Sequence, residues 1–169
     1  MSKFLGAALI IFVCIMIGRK GAERLERRCR MLFGLQQGLL ALANQIGYGA
    51  ALLADATEQA ALSAAAAQPL FEELSHQLRS GDGRTAGEIW RDVLAANDDE
   101  IDGRDLDVLL TLASDLGTTG RGEQLQRLEL CRLRLAALEE QATADSIRFG
   151  KIWRSMGLGV GVVTVLLFV

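Results

Sequence analysis

Residues 24–46 read RLERRCRMLFGLQQGLLALANQI, and the spacing of their apolar side chains decides the class of fold. Leu25, Cys29, Leu32, Leu35, Leu39, Leu42 and Ile46 recur at steps of three and four. That spacing lays them along one face of a helix, continuing for about seven turns. Gly47-Tyr48-Gly49 breaks the run.

Working outward, this helix is preceded by an apolar stretch, Phe4–Ile17 (FLGAALIIFVCIMI), and a second one, Met156–Val169 (MGLGVGVVTVLLFV), runs to the last residue. Each uninterrupted run gives about 21 Å of helix against a hydrocarbon core of about 30 Å. Flanking residues close the gap. Phe149, Ile152 and Trp153 extend the second run to about 31 Å, while Lys151 and Arg154 can snorkel to headgroups, as Lys3 and Arg19 can at the first. A cleaved signal peptide is the rival reading of Phe4–Ile17. It lacks a small-x-small site, being followed by Gly18-Arg19-Lys20, and Phe12-Val13 before Cys14 are too bulky for lipoprotein processing. An uncleaved anchor is expected.

Charge orients the hairpin. Arg19, Lys20, Arg24, Arg27, Arg28 and Arg30 follow the first run against only Glu23 and Glu26, and Arg148, Lys151 and Arg154 precede the second. The positive-inside rule then puts the middle of the chain in the cytoplasm and both termini outside. The same cations attract anionic lipid headgroups, although arginines on an exposed helix face also serve simply to solvate it. Gly157 and Gly161 form a GxxxG face, and Cys14, Gly18 and Ala22 offer a stripe of small residues to pack against it or against a partner subunit. The expected organisation is a membrane helix over 1–20, a cytosolic helical domain over 21–148 and a membrane helix over 149–169.

The middle part is long enough for one domain with a modest core. Ala, Leu, Glu, Gln and Arg dominate it, a helical composition. A net charge of −3 offers nothing to nucleic acid. Cys14, Cys29 and Cys131 are odd in number and widely spaced, which fits reduced thiols. A short Ala-rich helix is predicted over roughly 50–66, with Leu52, Leu53, Ala56 and Ala60 inward. Pro69 suits the first turn of the next helix, which carries Leu70, Phe71, Leu74 and Leu78. Ser80-Gly81-Asp82-Gly83 is a turn. Thr85 with Glu88 makes a capping box for a helix burying Ile89, Trp90, Val93 and Leu94. A helix with Leu106, Leu109, Leu110, Ala113 and Leu116 follows, closed by Gly117. The last one starts near Arg121 with Leu125, Leu128, Cys131, Leu135, Leu138 and Ala142 at heptad-like steps. The predicted fold is all-α: an antiparallel helical bundle carried on two terminal transmembrane helices.

Sites for chemistry are scarce. Asp98, Glu100, Asp102 and Gly103 match positions 1, 3, 5 and 6 of a calcium-binding EF-hand loop. The pattern then fails, with Asp105 where an apolar residue belongs and Leu109 where the bidentate carboxylate should be. Asp98, Asp99, Glu100 and Asp102 are therefore read as a solvated connector, negative at a helix N-terminus, and as a candidate docking patch. His76 has no ligand at metal spacing, and the chain carries no phosphate-binding loop, nucleophile elbow or CxxC. No enzyme, cofactor or metal is expected.

Several features in order carry a resemblance: Lys3-x-x-Gly6-Ala7-x-Leu9-Ile10; Leu32, Leu35, Leu39 and Leu42 leading to Ile46-x-Tyr48-Gly49; Leu53-x-Asp55-Ala56; Trp90; Leu116-Gly117 with Gln124 downstream; and Lys151 with Ser155-x-Gly157. The chain resembles stage III sporulation protein AB of endospore-forming bacteria along essentially its whole length. It departs at Gln45, where an acidic residue is usual, at Leu52, where proline is common, and at Gly120, where aspartate is common. The resemblance implies a non-enzymatic subunit of the mother-cell membrane complex that joins mother cell to forespore. Its soluble domain would be similar to the cytoplasmic domains of the type II secretion platform protein. Its implied partners are a secretion-type ATPase, stage III sporulation protein AA, and other membrane subunits of the channel. A membrane-anchored adaptor that binds a small effector is the alternative function.

Overall fold

The computed structural model describes residues 2–48, 52–81, 83–99, 101–113, 116 and 120–168, with side chains at 16, at 20–48 and in those stretches up to 148. Its helices are α1 (Ser2–Tyr48), α2 (Leu53–Ser63), a 3-10 turn (Ala65–Ala67), α3 (Gln68–Ser80), α4 (Ala86–Ala96), α5 (Gly103–Ala113) and α6 (Arg121–Phe168). No strand occurs among the described residues.

Local signals start and stop these helices. Pro69 sits in the first turn of α3, where its missing N–H costs nothing, and Gly81 ends that helix at φ 64, in the left-handed region that favours glycine. Thr85 accepts from the Glu88 backbone N–H while the Glu88 side chain accepts from the Thr85 N–H, the reciprocal capping box of α4. Hydrogen bonds from Thr85 hold the Glu88 carboxyl below its usual range.

Two units separate by contact, 28–140 and a second comprising 1–27 with 141–169. The first holds the core. Leu32, Leu35, Leu39 and Leu42 of α1 are all buried, as are Leu128 and Leu135 of α6. Gln36 Nε2 donates to Glu139 Oε2 at 2.6 Å, and the Arg121 guanidinium donates to the Gly47 carbonyl. Residue 36 thus lies opposite 139 and 47 opposite 121, so the two helices run antiparallel within this unit. Phe71 and Trp90 meet edge to face at 6.1 Å, and Trp90 Nε1 donates to the Leu109 carbonyl at 3.0 Å, tying α4 to α5.

Glycines set how closely the pieces approach. A Cβ on Gly34 would stand 2.1 Å from the Ala64 carbonyl oxygen, and one on Gly38 would stand 2.3 Å from the Phe71 ring. Gly87 plays the same part between α4 and α5, 2.1 Å from the Ala113 carbonyl oxygen. The buried alanines Ala60, Ala61, Ala64 and Ala67 complete a contact built from small residues.

Two expectations change. The predicted Ala-rich helix is shorter, because Ala65 takes φ 46 and starts the 3-10 turn. Leu52 is not inward but 73 % exposed: it caps α2 with extended backbone, φ −61 and ψ 144, which takes its side chain off the buried face. Helix α5 is described over Gly103–Ala113 and Leu116 is buried as expected, while Gly117, the expected C-cap, lies outside the described residues.

In the second unit the backbone of α1 is helical through Phe4–Ile17 and that of α6 through Met156–Phe168. The side chains of Phe4–Ile17, except Met16, and of Met156–Val169 lie outside the described residues. Among the described residues no helix is long and apolar enough to cross a membrane.

Candidate functional site

The acidic connector between α4 and α5 divides into two halves with different duties. Asp98 and Asp99 are exposed in the turn that follows α4, Glu100 lies outside the described residues, and Ile101 is buried. Asp102 is structural. Its carbonyl accepts from the Asp105 and Leu106 N–H groups at 2.9 Å, and its Oδ1 accepts from the Arg104 N–H at 3.2 Å, which makes it the N-cap of α5.

One turn further on, Asp105 is the only charged side chain buried among the described residues. Arg28 of α1 grips it with both arms of the guanidinium, Nε to Oδ2 at 2.9 Å and Nη2 to Oδ1 at 2.8 Å. Asp102 Oδ1 stands 3.7 Å from the same nitrogen. These hydrogen bonds to Asp105 raise the Arg28 guanidinium above its ordinary value against the opposing effect of burial. Two-point contact fixes orientation as well as distance, so the first turn of α5 is located directly on α1. Sequence reasoning passed over this pair. In the sequence Asp105 stands out only as a break in the calcium-loop pattern, and Arg28 as one cation among six. The available signal was a carboxylate in the first turn of a helix that turns toward the core.

Other candidate residues scatter. Lys20 is exposed. The side chains of Arg19, Lys151, Arg154, Cys14, Gly18, Gly157 and Gly161 lie outside the described residues. His76 is exposed on α3, and no cluster of metal-ligating side chains occurs among the described residues. Cys131 lies at the floor of a cleft of about 40 Å³ between α5 and α6, its Sγ 3.9 Å from the Val108 carbonyl oxygen. Burial pushes its thiol up from 9.0 to about 12.

That shift has a sign. The folded chain keeps the Cys131 proton where the unfolded chain loses it, so stability falls as pH rises from about 9 towards about 12 and is unaffected below that window. Urea unfolding at pH 8 and pH 10.5 should show the lower midpoint at pH 10.5, and Cys131→Ala should remove this thiol's part of the difference. In the native state at pH 8 the thiol should resist maleimide and react only after unfolding.

Residues 3–169 match the family model of stage III sporulation protein AB. The chain belongs to the stage III sporulation protein AB family. As a stage III sporulation protein AB relative it is 30 % identical to the Bacillus subtilis (strain 168) protein of that name over 177 residues, covering 99 % of each chain. A solved structure of a stage III sporulation protein AB superposes with a TM-score of 0.66 at 27 % identity, covering 72 % of this chain and 97 % of that one. Family membership thus makes this a sporulation protein with an all-helical fold.

Proposed function

We propose that this chain is a non-enzymatic platform subunit of the mother cell–forespore channel complex. In this reading Phe4–Ile17 and Phe149–Val169 cross the mother-cell membrane as a hairpin, and the helical unit faces the cytoplasm. There it engages a secretion-type ATPase of the stage III sporulation protein AA kind and couples that motor to the membrane assembly. The observation that supports this best is the family match across 3–169, which takes in both apolar ends as well as the helical unit. The docking patch is Asp98 and Asp99, exposed beside an α5 that Arg28 pins to α1. A partner's pull on that turn would reach α1 through a short, fully paired contact.

The test begins with topology. Single cysteines at Ser80 or Asp99, in a chain whose native cysteines are replaced, should react with an impermeant maleimide only after lysis. Labelling of intact cells would put the unit outside and end the ATPase reading. Reversing charge at Asp98→Lys with Asp99→Lys should then weaken co-purification of the ATPase by about tenfold or more at low salt, with helix content unchanged. Asp102 is left alone in that variant because it caps α5. Undiminished binding would remove the turn as the docking site.

A further inference from the structure

Helix α6 carries two apolar stripes rather than one. Leu128, Cys131 and Leu135 face the core and are buried. Two residues further along each time come Leu130, Leu133 and Ala137, all exposed, with Leu130 at 49 % and Leu133 at 54 %. An offset of two residues is about 200° around a helix, so this second stripe points away from the core. It is framed by exposed Gln126 and Glu140, and the 3-4 spacing 126, 130, 133, 137, 140 is that of a coiled-coil seam. Leu130 also borders the cleft between α5 and α6, beside Val108 and Cys131, but about half of its surface, like that of Leu133, stays in solvent, and the a-to-d step between the two is that of a seam.

We propose that this seam is a self-association surface at which α6 meets α6 of a second copy in parallel register. Charge at the centre of the seam selects both occupant and direction, and the one like-charge contact, Glu140 against Glu140 at d, falls at its exposed end. With Leu130 and Ala137 at a, and Leu133 at d, Glu129 falls at g and Arg127 and Arg134 fall at e. Two parallel copies bring Glu129 of each chain against Arg134 of its mate, two opposite-charge pairs related by the two-fold axis. Antiparallel copies instead set the e-position arginines against one another. Both oxygens of Glu129 also accept from Arg132 on its own helix, at 2.9 and 2.6 Å, a half-exposed surface pair of little strength that Arg134 of a second copy can join or displace. The seam spans about 21 Å, too little for a stable dimer in dilute solution but sufficient where copies are already held together. Helix α6 is ordered beforehand by its inner stripe, so association does not bear the cost of folding it. The seam rests on the proposed membrane hairpin for what holds copies together, and it requires no ATPase.

Disulfide scanning of the full chain in expressing cells tests it. In a background of Cys14→Ser, Cys29→Ser and Cys131→Ala, Leu130→Cys, Leu133→Cys and Ala137→Cys should each give oxidised homodimers, several-fold more than exposed Glu73→Cys on α3. Arg134→Glu should reduce the Leu133→Cys dimer several-fold, and adding Glu129→Arg should restore it. Equal yields at Glu73→Cys, or none along the seam, would overturn self-association. Dimers formed only between Gln126→Cys and Ala137→Cys chains would overturn the parallel register, as would indifference to Arg134→Glu. Cross-links solely to a protein of another mass would assign the seam to a different subunit and likewise overturn the proposal.

Discussion

Gly34→Ala should destabilise the helical unit by about 3 kcal/mol, although alanine is the better helix former. The propensity gain is roughly 1 kcal/mol, and overpacking of a well-filled contact costs more than that, typically about 1–3 kcal/mol and beyond where backbone is struck. Here the new methyl would lie 2.1 Å from the Ala64 carbonyl oxygen and 2.9 Å from the Ala67 nitrogen. Neither atom belongs to a side chain that can swing away. Relief would require the 3-10 turn to retreat from α1, opening the alanine-lined contact. Urea unfolding followed by circular dichroism reads the effect. Gly21→Ala on the same helix, with nothing within 4 Å of the added carbon, should leave stability unchanged or slightly higher. Equal behaviour of the two variants would show that the close approach at Gly34 does not limit the fold.

The second large effect lies at the ion pair. Arg28→Ala should cost about 3–5 kcal/mol, because it strands the Asp105 carboxylate, whose side chain is only 3 % exposed, without its cation. The penalty belongs to the stranded charge rather than to the pair. Replacing both partners with Arg28→Met and Asp105→Leu should therefore recover most of the loss. The contrast is Arg79, which bridges Asp55 and Glu58 in full solvent, where Arg79→Ala should barely move the unfolding midpoint. If Arg28→Ala and Arg79→Ala behave alike, Asp105 is better solvated than its burial implies. Should Arg28→Ala also abolish ATPase binding in a chain still folded, the clamp would link the docking turn to α1 as proposed.

Much of the fold was legible because helices advertise themselves locally. The inward faces of α1 and α6 follow from apolar spacing alone, and Leu32, Leu35, Leu39, Leu42, Leu128 and Leu135 are buried where that spacing puts them. The capping box at Thr85, Pro69 in the first turn of α3 and the turn at Gly81 are likewise decided within four residues of chain. The candidate site was legible only as an acidic cluster. Its four members look alike in sequence, yet Asp102 is spent on capping α5 while Asp98 and Asp99 stay in solvent. Leu52 failed for a related reason, since a position before a helix has no face to share.

By itself, then, the sequence determined the helical class, the family, the inward stripes and the helix starts. Each of these is encoded in residues a turn or two apart, where spacing and capping chemistry act without reference to the rest of the molecule. Only the tertiary structure decided that Arg28 serves Asp105, that Gly34 must lack a side chain because Ala64 lies against it, and that α6 has an uncovered second stripe. The Arg28–Asp105 bond joins residues 77 apart. Whether such a partner arrives, and from which side, depends on how separate helices pack, and no local pattern in a single helix records it.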